Sequence, residues 1–293
     1  MNAMGRLQQP GPEALERIES AVGVIQTLDF ELKPGLTINA AIAGPLLEAG
    51  FQAAQVELSG GAFGPFTYVM PAGAQDAAHA AWYSAPFSPE GETRLERGNV
   101  TFGHKEGAPF IHCHAFWVES DGTRHGGHVM PHEAVVAAPI RARAYGSADV
   151  AVTADFDPET NFTLFTPHQT RAPAGTGRRI AFARVRPNTD IFAALSELCR
   201  RHRFAAGRVR GSVGSLIGAR FLDRGPVADY ATEVFVRDGV VMPMETSGFE
   251  TRLDISMVGM SGVLAEGRLM PKENAVCITF ELALEEAEPA ELA

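Results

Sequence analysis

Residues 110–116 read Phe-Ile-His-Cys-His-Ala-Phe and residues 126–129 read Gly-Gly-His-Val, with the turn signal Asp121-Gly122 between them. An Asp-Gly pair flanked by apolar runs is typical of a tight β-hairpin. Such a hairpin would fold the second stretch back along the first. The two stretches are therefore predicted to lie on neighbouring antiparallel strands.

The histidines of this hairpin are predicted to form a metal site. Because side chains alternate between the faces of a strand, His112 and His114 should share one face while Cys113 points to the core. The hairpin should then bring His128 close to the pair. Three imidazoles that converge from paired strands form a typical zinc site with an open coordination position.

The sequence also contains an internal repeat. Pro34 and Phe51 flank a helical pattern, and Pro187 and Phe204 flank a similar one 153 residues later. Beyond the hairpin the offset is 140 residues, because Met130-Pro131 matches Met270-Pro271. We place the 13 additional residues of the first half in the segment 71–97, which is rich in Ala, Gly, Pro and Ser. A repeat of this length predicts two similar domains.

Each half is expected to be of the α+β class, a mostly antiparallel sheet with one helix packed on it, and the second copy is degenerate. The helices are predicted at 38–48, with Thr37 as N-cap and Gly50 just past the end, and at 190–201. Strands are predicted at 52–58, 64–69, 109–118, 124–130, 134–145 and 149–154, and then at 206–211, 219–222, 232–237, 250–259, 264–270 and 275–283.

The repeat and the composition together divide the chain into segments. We assign an N-terminal extension (1–22), a first domain with the histidine site (23–166), a linker (167–178), a second domain (179–285) and an acidic tail (286–293). The linker assignment rests on the Pro, Gly, Ala and Thr content of its sequence.

The second copy has lost all the predicted ligands at once. At the offset of 140 residues, His112 faces Arg252, His114 faces Asp254 and His128 faces Arg268. A protonated arginine cannot bind a metal ion, so Asp254 and the two arginines could form an ion-pair cluster instead. A ligand set loses its purpose when one member is lost, whereas core histidines have little reason to vanish together. The correlated loss therefore favours a metal site in the first half.

The chain resembles the plant-and-prokaryote-conserved (PPC) domain family, also called AT-hook-associated or DUF296-like, at three motifs. These are Pro34-Gly35, His112-Cys113-His114 and Gly126-Gly127-His128-Val129. The resemblance implies a fold similar to acetolactate decarboxylase and related zinc ester hydrolases, with zinc held by the three histidines. It also implies that a carboxylate follows the Gly-Gly-His motif, where Glu281 matches in the second half and Arg141 stands in the first.

The same resemblance bears on partners. Bacterial single-domain members are homotrimers, which implies a homo-oligomer, whereas fused tandem domains could pack on each other and stop there. Plant members bind DNA through a separate Arg-Gly-Arg-Pro hook that this sequence lacks. The net charge of −10 and the pI of about 5.4 also argue against nucleic-acid binding.

Other features exclude further classes. Three widely spaced cysteines do not form a disulfide framework, which favours a reducing compartment and a cytoplasmic location. The N-terminus has no apolar signal region, and no apolar run reaches the roughly 20 residues of a membrane span. Neither a Walker motif nor a Gly-x-Ser-x-Gly elbow is present.

Further residues near the motifs have two interpretations each. Arg141 and Arg143 share one face of a strand, either as an anion clamp for a carboxylate substrate or as a solvated face. Trp82 and Tyr83 of the insertion could line a pocket or pack against another subunit.

The remaining titratable side chains near the hairpin are equally open. His125 and His132 could supply a fourth ligand or a proton shuttle, but strict alternation favours exposed turn positions. His104 could approach from a neighbouring strand or lie in a loop. Glu133 could act as a general base or be an ordinary exposed carboxylate.

Two functional hypotheses follow from these observations. The first is a zinc-binding protein with one site of three histidines that hydrolyses or cleaves a small molecule, where iron, manganese or nickel could replace zinc. The second is a non-catalytic binding or assembly module of the PPC type. DNA binding rests on the plant relatives alone.

Overall fold

The computed structural model describes residues 5–292, and strands dominate it. The first part of the chain contains β1 (Ile18–Val24), β2 (Gln26–Leu32), α1 (Ile38–Glu48), β3 (Ala53–Ser59), β4 (Ala62–Phe63), β5 (Tyr68–Val69), β6 (Pro71–Gly73), β7 (Ala81–Tyr83), β8 (Thr93–Lys105), β9 (Ala108–Val118), β10 (Arg124–Val129), β11 (Val136–Ala138), β12 (Ile140–Ser147), β13 (Val150–Phe156) and β14 (Thr163–Gln169).

The second part has fewer elements. It contains β15 (Arg179–Val185), α2 (Ile191–His202), β16 (Ala206–Leu216), β17 (Thr232–Pro243), β18 (Phe249–Gly259), β19 (Leu264–Arg268), β20 (Val276–Ala287) and a 3₁₀ turn (Pro289–Glu291).

The two large sheets have the same topology. The first runs β2-β12-β3-β8-β9-β10, and the second runs β15-β20-β16-β17-β18-β19, with antiparallel neighbours throughout both series. Each strand of the first series matches the strand at the same place in the second. The fold is therefore α+β, with two similar sheet domains and one helix on each, as the repeat predicts.

Each helix covers the outer face of its own sheet. α1 begins after Thr37, whose hydroxyl accepts a hydrogen bond from the backbone N–H of Ala40 at 3.3 Å. It buries Ile38, Ile42 and Leu46 completely against the sheet. Burial of each of these side chains stabilises the fold by about 1.5–3 kcal/mol. α2 packs in the same way on the second sheet.

The inner faces of the two sheets pack on each other. The ring centroids of Phe116 and Phe235 lie 5.6 Å apart across this interface. The Nδ2 of Asn99 donates a hydrogen bond to the carbonyl oxygen of Val236 at 3.0 Å. Strands at the interface are thus buried on both faces, which brings β9 and β10 of the first domain against the second domain.

The ends of the predicted segments take part in the sheets. β1 pairs with β15 of the second sheet, although residues 1–22 were assigned to an N-terminal extension. β14 continues to Gln169, inside the predicted linker, and β20 continues to Ala287, inside the predicted tail. Composition alone does not reveal these pairings, because β14 ends in polar, exposed residues like those of a linker, and the pairing partners of β1 and β20 are distant in the sequence.

Several predicted strands differ from the observed ones. β8 falls partly in the predicted insertion and was not predicted, because its residues 98–103 are buried on both faces and include the polar Asn99 and Thr101. The predicted strand 134–145 breaks at Pro139, which cannot donate a ladder hydrogen bond. Residues 219–222 make only isolated bridges.

Neither of the helices within residues 5–292 combines the length and the apolar character needed to cross a lipid bilayer.

Candidate metal centre

The predicted hairpin brings the three histidines together. It closes through Gly122, whose φ is 88° and whose N–H donates to the carbonyl oxygen of Glu119 at 3.0 Å. His128 lies directly opposite His114 in the strand register, and His112 shares the same face two residues away. One ligand atom from each of the three imidazoles lies within 4.8 Å of the other two. The trio could therefore hold a single metal ion.

The two glycines before His128 allow this close approach. A Cβ on Gly126 would lie 2.5 Å from the ring of Phe116, and one on Gly127 would lie 2.7 Å from the carbonyl oxygen of Val69. Both distances are far below van der Waals contact. The Gly-Gly-His motif thus keeps β10 flat against its neighbours and aims His128 at the other two rings.

Acceptors from the second domain fix the orientation of two rings. The Nδ1 of His112 lies 3.0 and 3.1 Å from the two carboxylate oxygens of Glu281. The Nδ1 of His114 lies 3.1 Å from the carbonyl oxygen of Val234. When Nδ1 donates to such acceptors, Nε2 carries the lone pair that binds a metal. The site therefore has the outer-sphere partners that metal-bound histidines need.

The spacing of the nitrogens fits a metal ion. The Nε2 atoms of His112 and His114 lie 3.1 Å apart. Two nitrogens at about 2.0–2.1 Å from a tetrahedral zinc ion are about 3.3 Å apart. Two lone pairs that face each other at this distance repel unless a proton or a cation lies between them. Among residues 5–292, the buried Nδ1 of His128 has no hydrogen-bond partner.

Two buried carboxylates add negative charge to the site. An oxygen of Glu233 lies 2.5 Å from the Nε2 of His114, and Glu233 and Glu281 are only 8% and 3% exposed. Within the part of the chain that the structure describes, their salt-bridge partners are histidines alone. Buried carboxylates are costly without a compensating cation. The donor set thus fits a divalent metal ion.

The protonation of the rings differs across the site. Burial lowers the pKa of His112, but the charges of Glu281 and Glu233 outweigh burial, so the net pKa is raised. Burial and the neighbouring histidines hold the pKa of His128 well below its usual value. His128 is therefore neutral, the form that a metal ligand requires.

Tyr83 of the insertion covers the site. Its ring centroid lies 5.2 Å from that of His128, and burial together with Glu233 and Glu281 raises the pKa of its phenol. The phenol keeps its proton at neutral pH and can serve as a hydrogen-bond donor. Of the two interpretations for Trp82 and Tyr83, the structure supports the pocket, since both side chains line a cavity beside His112 and His114.

The equivalent positions of the second domain are exposed ion pairs. Arg268 pairs with Asp254 at 3.4 Å, but Arg252 pairs with Asp238 at 3.1 Å. The predicted cluster of Asp254 with both arginines therefore forms with only one of them. The side chains of Arg252 and Arg268 are 45% and 47% exposed.

The structure does not bring Arg141 and Arg143 to the histidines. They lie on β12, three strands and about 14 Å away from β9 in the sheet order. They line a separate cavity of about 410 Å³, where the Nε of Arg143 lies 2.6 Å from an Asp29 oxygen. This pair favours the solvated strand face over an anion clamp at the metal site.

Other histidines of the first half lie outside the site. His125 is not in an exposed turn as predicted but half-buried on β10, where it lies 3.8 Å from Glu119 and its ring centroid is 6.2 Å from that of Tyr68. His132 and Glu133 are exposed, and His104 is half-buried at the start of the β8–β13 pairing. Cys113 lies in the core of the first domain.

Sequence reasoning missed Glu233 and the position of the site between two domains. The family resemblance indicated Glu281, but it could not show that this carboxylate contacts a histidine of the other domain. No local motif marks Glu233, since its role arises only when β17 packs against β9.

Solved structures of other proteins are similar to part of this chain. One is a plant- and prokaryote-conserved (PPC) protein from Pyrococcus horikoshii, which is 15% identical, covers 50% of this chain and 94% of its own, and has a TM-score of 0.39. Another is a metal-containing protein from Archaeoglobus fulgidus, with 22% identity, 52% and 99% coverage and a TM-score of 0.40. A candidate DNA-binding protein from Ralstonia eutropha JMP134 has 16% identity, 47% and 88% coverage and a TM-score of 0.36.

One of these similar structures is thus of a PPC protein, the type of protein that the sequence motifs resemble. No protein-family model matches the sequence, and no curated protein matches it.

The contact between Glu281 and His112 gives a first testable prediction. Replacement of Glu281 by Gln should lower the affinity for a divalent metal by about 10–100-fold, because the carboxylate no longer orients and polarises the imidazole. Isothermal titration calorimetry with zinc would measure this change. The matched control is Arg141→Gln at the equivalent position of the first domain, which should bind zinc as the wild type does. Equal affinities of Glu281→Gln and wild type would show that the contact does not tune the site.

Proposed function

We propose that this protein is a metal-dependent, zinc-type hydrolase or lyase for a small molecule, with one active site between its two domains. The observation that carries the proposal is the convergence of three imidazoles and two buried carboxylates beside a cavity. Three nitrogen ligands with space for a further ligand are typical of catalytic zinc sites, whereas structural sites use four protein ligands.

The donor set suggests which residues would hold the metal. His112, His114 and His128 are the proposed ligands, and Glu281 orients His112. A bound zinc ion would supply a Lewis acid that polarises a carbonyl group and activates water. Nitrogen donors also suit iron, nickel and copper, so zinc is the proposed but not the sole metal that the ligands could accept.

The other residues of the site would position the substrate and carry protons. In an ester hydrolysis, Glu233 would take a proton from water as the water oxygen bonds to the carbonyl carbon. It would return this proton to the alkoxide as the carbon–oxygen bond breaks. The protonated phenol of Tyr83 would donate a hydrogen bond to the carbonyl oxygen as charge develops on it.

A single chain supplies every residue of the proposed site. Because Glu233 and Glu281 come from the second domain, the site does not need another copy of the chain. We therefore propose that the site is complete in a monomer, although the family resemblance implies a trimer. The free, buried state of the three cysteines supports a cytoplasmic location.

The test is a panel of small esters and 2-keto acids, assayed with the metal-loaded protein. We expect turnover that a chelator abolishes and zinc restores. Glu233→Gln should lower kcat/KM by about 10²–10⁴-fold while metal content is retained, since general bases contribute rate enhancements of this size. Metal binding without turnover on the whole panel would favour the second candidate, a non-catalytic binding module.

DNA binding is not favoured by any contact in the site. The chain carries a net charge of −10, which opposes the phosphate contacts that dominate DNA affinity. A gel-shift assay at physiological salt is expected to show no complex.

A further inference from the structure

A second cavity lies beside the histidines, with polar groups at its two ends and apolar walls between them. Its volume is about 230 Å³, and His112, His128, Glu281 and Tyr83 line one part of it. Lys105 also lines it. We propose that this cavity is the substrate pocket and that its substrate is a small organic anion whose carboxylate binds Lys105. The inference rests on the proposed function and specifies its substrate class.

The walls of the cavity between these groups are apolar. Phe110 of β9 faces Phe165 of β14 with ring centroids 6.2 Å apart, and Phe162 and Leu164 also line the space. Drug-sized ligands usually occupy pockets of roughly 300–1,000 Å³. The smaller volume and the apolar walls fit a metabolite with a short hydrocarbon body.

Lys105 is held over the cavity. Its Nζ lies 5.4 Å from the ring centroid of Phe110, which also lines the cavity, and forms a cation–π contact with this ring. Lys105 forms no salt bridge with any residue in the range 5–292. An ammonium group without a carboxylate partner beside an apolar pocket is a suitable site for the anionic end of a ligand.

The charges at the two ends fix the direction in which a ligand binds. Glu281 and Glu233 are buried near the histidines, and their negative charges would offset the charge of a divalent ion bound there, so this end would not attract an anion strongly. Lys105 attracts an anion at the other end. The neutral, reactive part of the substrate would therefore lie at the histidines and its carboxylate at Lys105.

The strand register limits the length of the ligand. Lys105 pairs with Ala108, and His112 follows four residues further along β9 on the same face. These backbone positions are about 14 Å apart along the strand. Both side chains line the cavity, so the gap between the Lys105 ammonium group and the His112 ring is shorter than this backbone distance. This gap suits a molecule with a few carbon atoms between its two functional groups.

Two hydroxamate probes test the proposal. Glutaric acid monohydroxamate has a metal-binding group at one end and a carboxylate at the other, and pentanohydroxamate has the same metal-binding group without the carboxylate. Isothermal titration calorimetry should show that the wild-type, zinc-loaded protein binds the carboxylate probe about tenfold more tightly, which is the expected effect of one charge-assisted contact.

Lys105→Gln should remove this difference and leave pentanohydroxamate affinity and zinc content unchanged, whereas Lys105→Arg should retain most of the preference. Equal affinities of the two probes in the wild type, or an unchanged preference in Lys105→Gln, would overturn the carboxylate subsite. In that case, tight binding of pentanohydroxamate would still support the proposed metal site. Absence of zinc from the wild-type protein would overturn the proposed function itself and the subsite with it.

Discussion

Simultaneous replacement of His112 and His114 by alanine is expected to reduce bound transition metal from about one ion per chain to near zero. The two rings supply two of the three proposed ligands, and their Nε2 atoms lie 3.1 Å apart. Loss of one outer-sphere partner alone weakens metal binding by about 10–100-fold, so loss of two ligands should abolish it. Elemental analysis of protein purified without a histidine tag would measure the metal content.

The chain provides a matched control for this variant. Arg252→Ala/Asp254→Ala changes the equivalent positions of the second domain, which carry no proposed ligands, and should leave the metal content unchanged. Because His114 is only 2% exposed, its replacement can also affect folding. The single variant His128→Asn, with circular dichroism of all variants, separates loss of metal from loss of fold. Metal near zero in the wild type, or retained in the folded double variant, would contradict the proposed centre.

The second large effect is expected at a buried ion network between the domains. Asp157 follows β13 of the first domain, and its oxygens lie 3.1 Å from Arg184 and 2.7 Å from Arg186, both on or just after β15. Asp157, Arg184 and Arg186 are 2%, 2% and 8% exposed. Glu19 and Glu159 also pair with these arginines, so removal of Asp157 leaves their buried charge only partly compensated. Breaking a buried ion pair in this way costs up to about 3–5 kcal/mol. We therefore expect Asp157→Ala to lower the free energy of unfolding by about this amount.

Chemical denaturation at neutral pH would measure the change. Asp155, two residues earlier, is exposed and accepts a hydrogen bond from Thr153. Asp155→Ala should change the free energy of unfolding by less than about 0.5 kcal/mol, as is usual for surface positions. If both variants had the same small effect, the buried network would not hold the two domains together.

The network should also make the stability depend on pH. Burial raises the pKa of Asp157, but Arg184, Thr160 and Arg186 outweigh burial, so the net pKa is below its usual value. A carboxylate with a lowered pKa contributes stability above its unfolded pKa of about 3.9 and loses it as the pH falls toward the folded value. The stability difference between wild type and Asp157→Ala should thus be complete at pH 7 and shrink below about pH 4.

Local patterns in the sequence predicted much of the fold. The helix predicted at 38–48 is α1, and the strands around the Asp121-Gly122 turn are β9 and β10. These elements have short-range signals, namely an N-cap, a turn dipeptide and regular alternation. By contrast, β8 and the pairing of β1 with β15 were missed, because their strand character depends on which distant segments pack beside them.

The candidate site likewise has some features that local sequence patterns predict and others that depend on packing between the domains. Alternation and the hairpin register were sufficient to predict that His112, His114 and His128 converge. They could not predict Glu233, because this residue reaches His114 only through the packing of one domain on the other. Alternation correctly predicted that Arg141 and Arg143 share a strand face, but the sheet order separates that strand from the histidines.

The sequence by itself determined the two similar domains, the fold class and the three clustered imidazoles, because all three depend on spacing along the chain. Tertiary structure decided the rest. It placed two carboxylates of the degenerate copy against the histidines of the other copy, and it enclosed a cavity with Lys105 at its rim. The physical reason is that contacts between sheet faces arise from the burial of whole surfaces, which no local sequence pattern encodes.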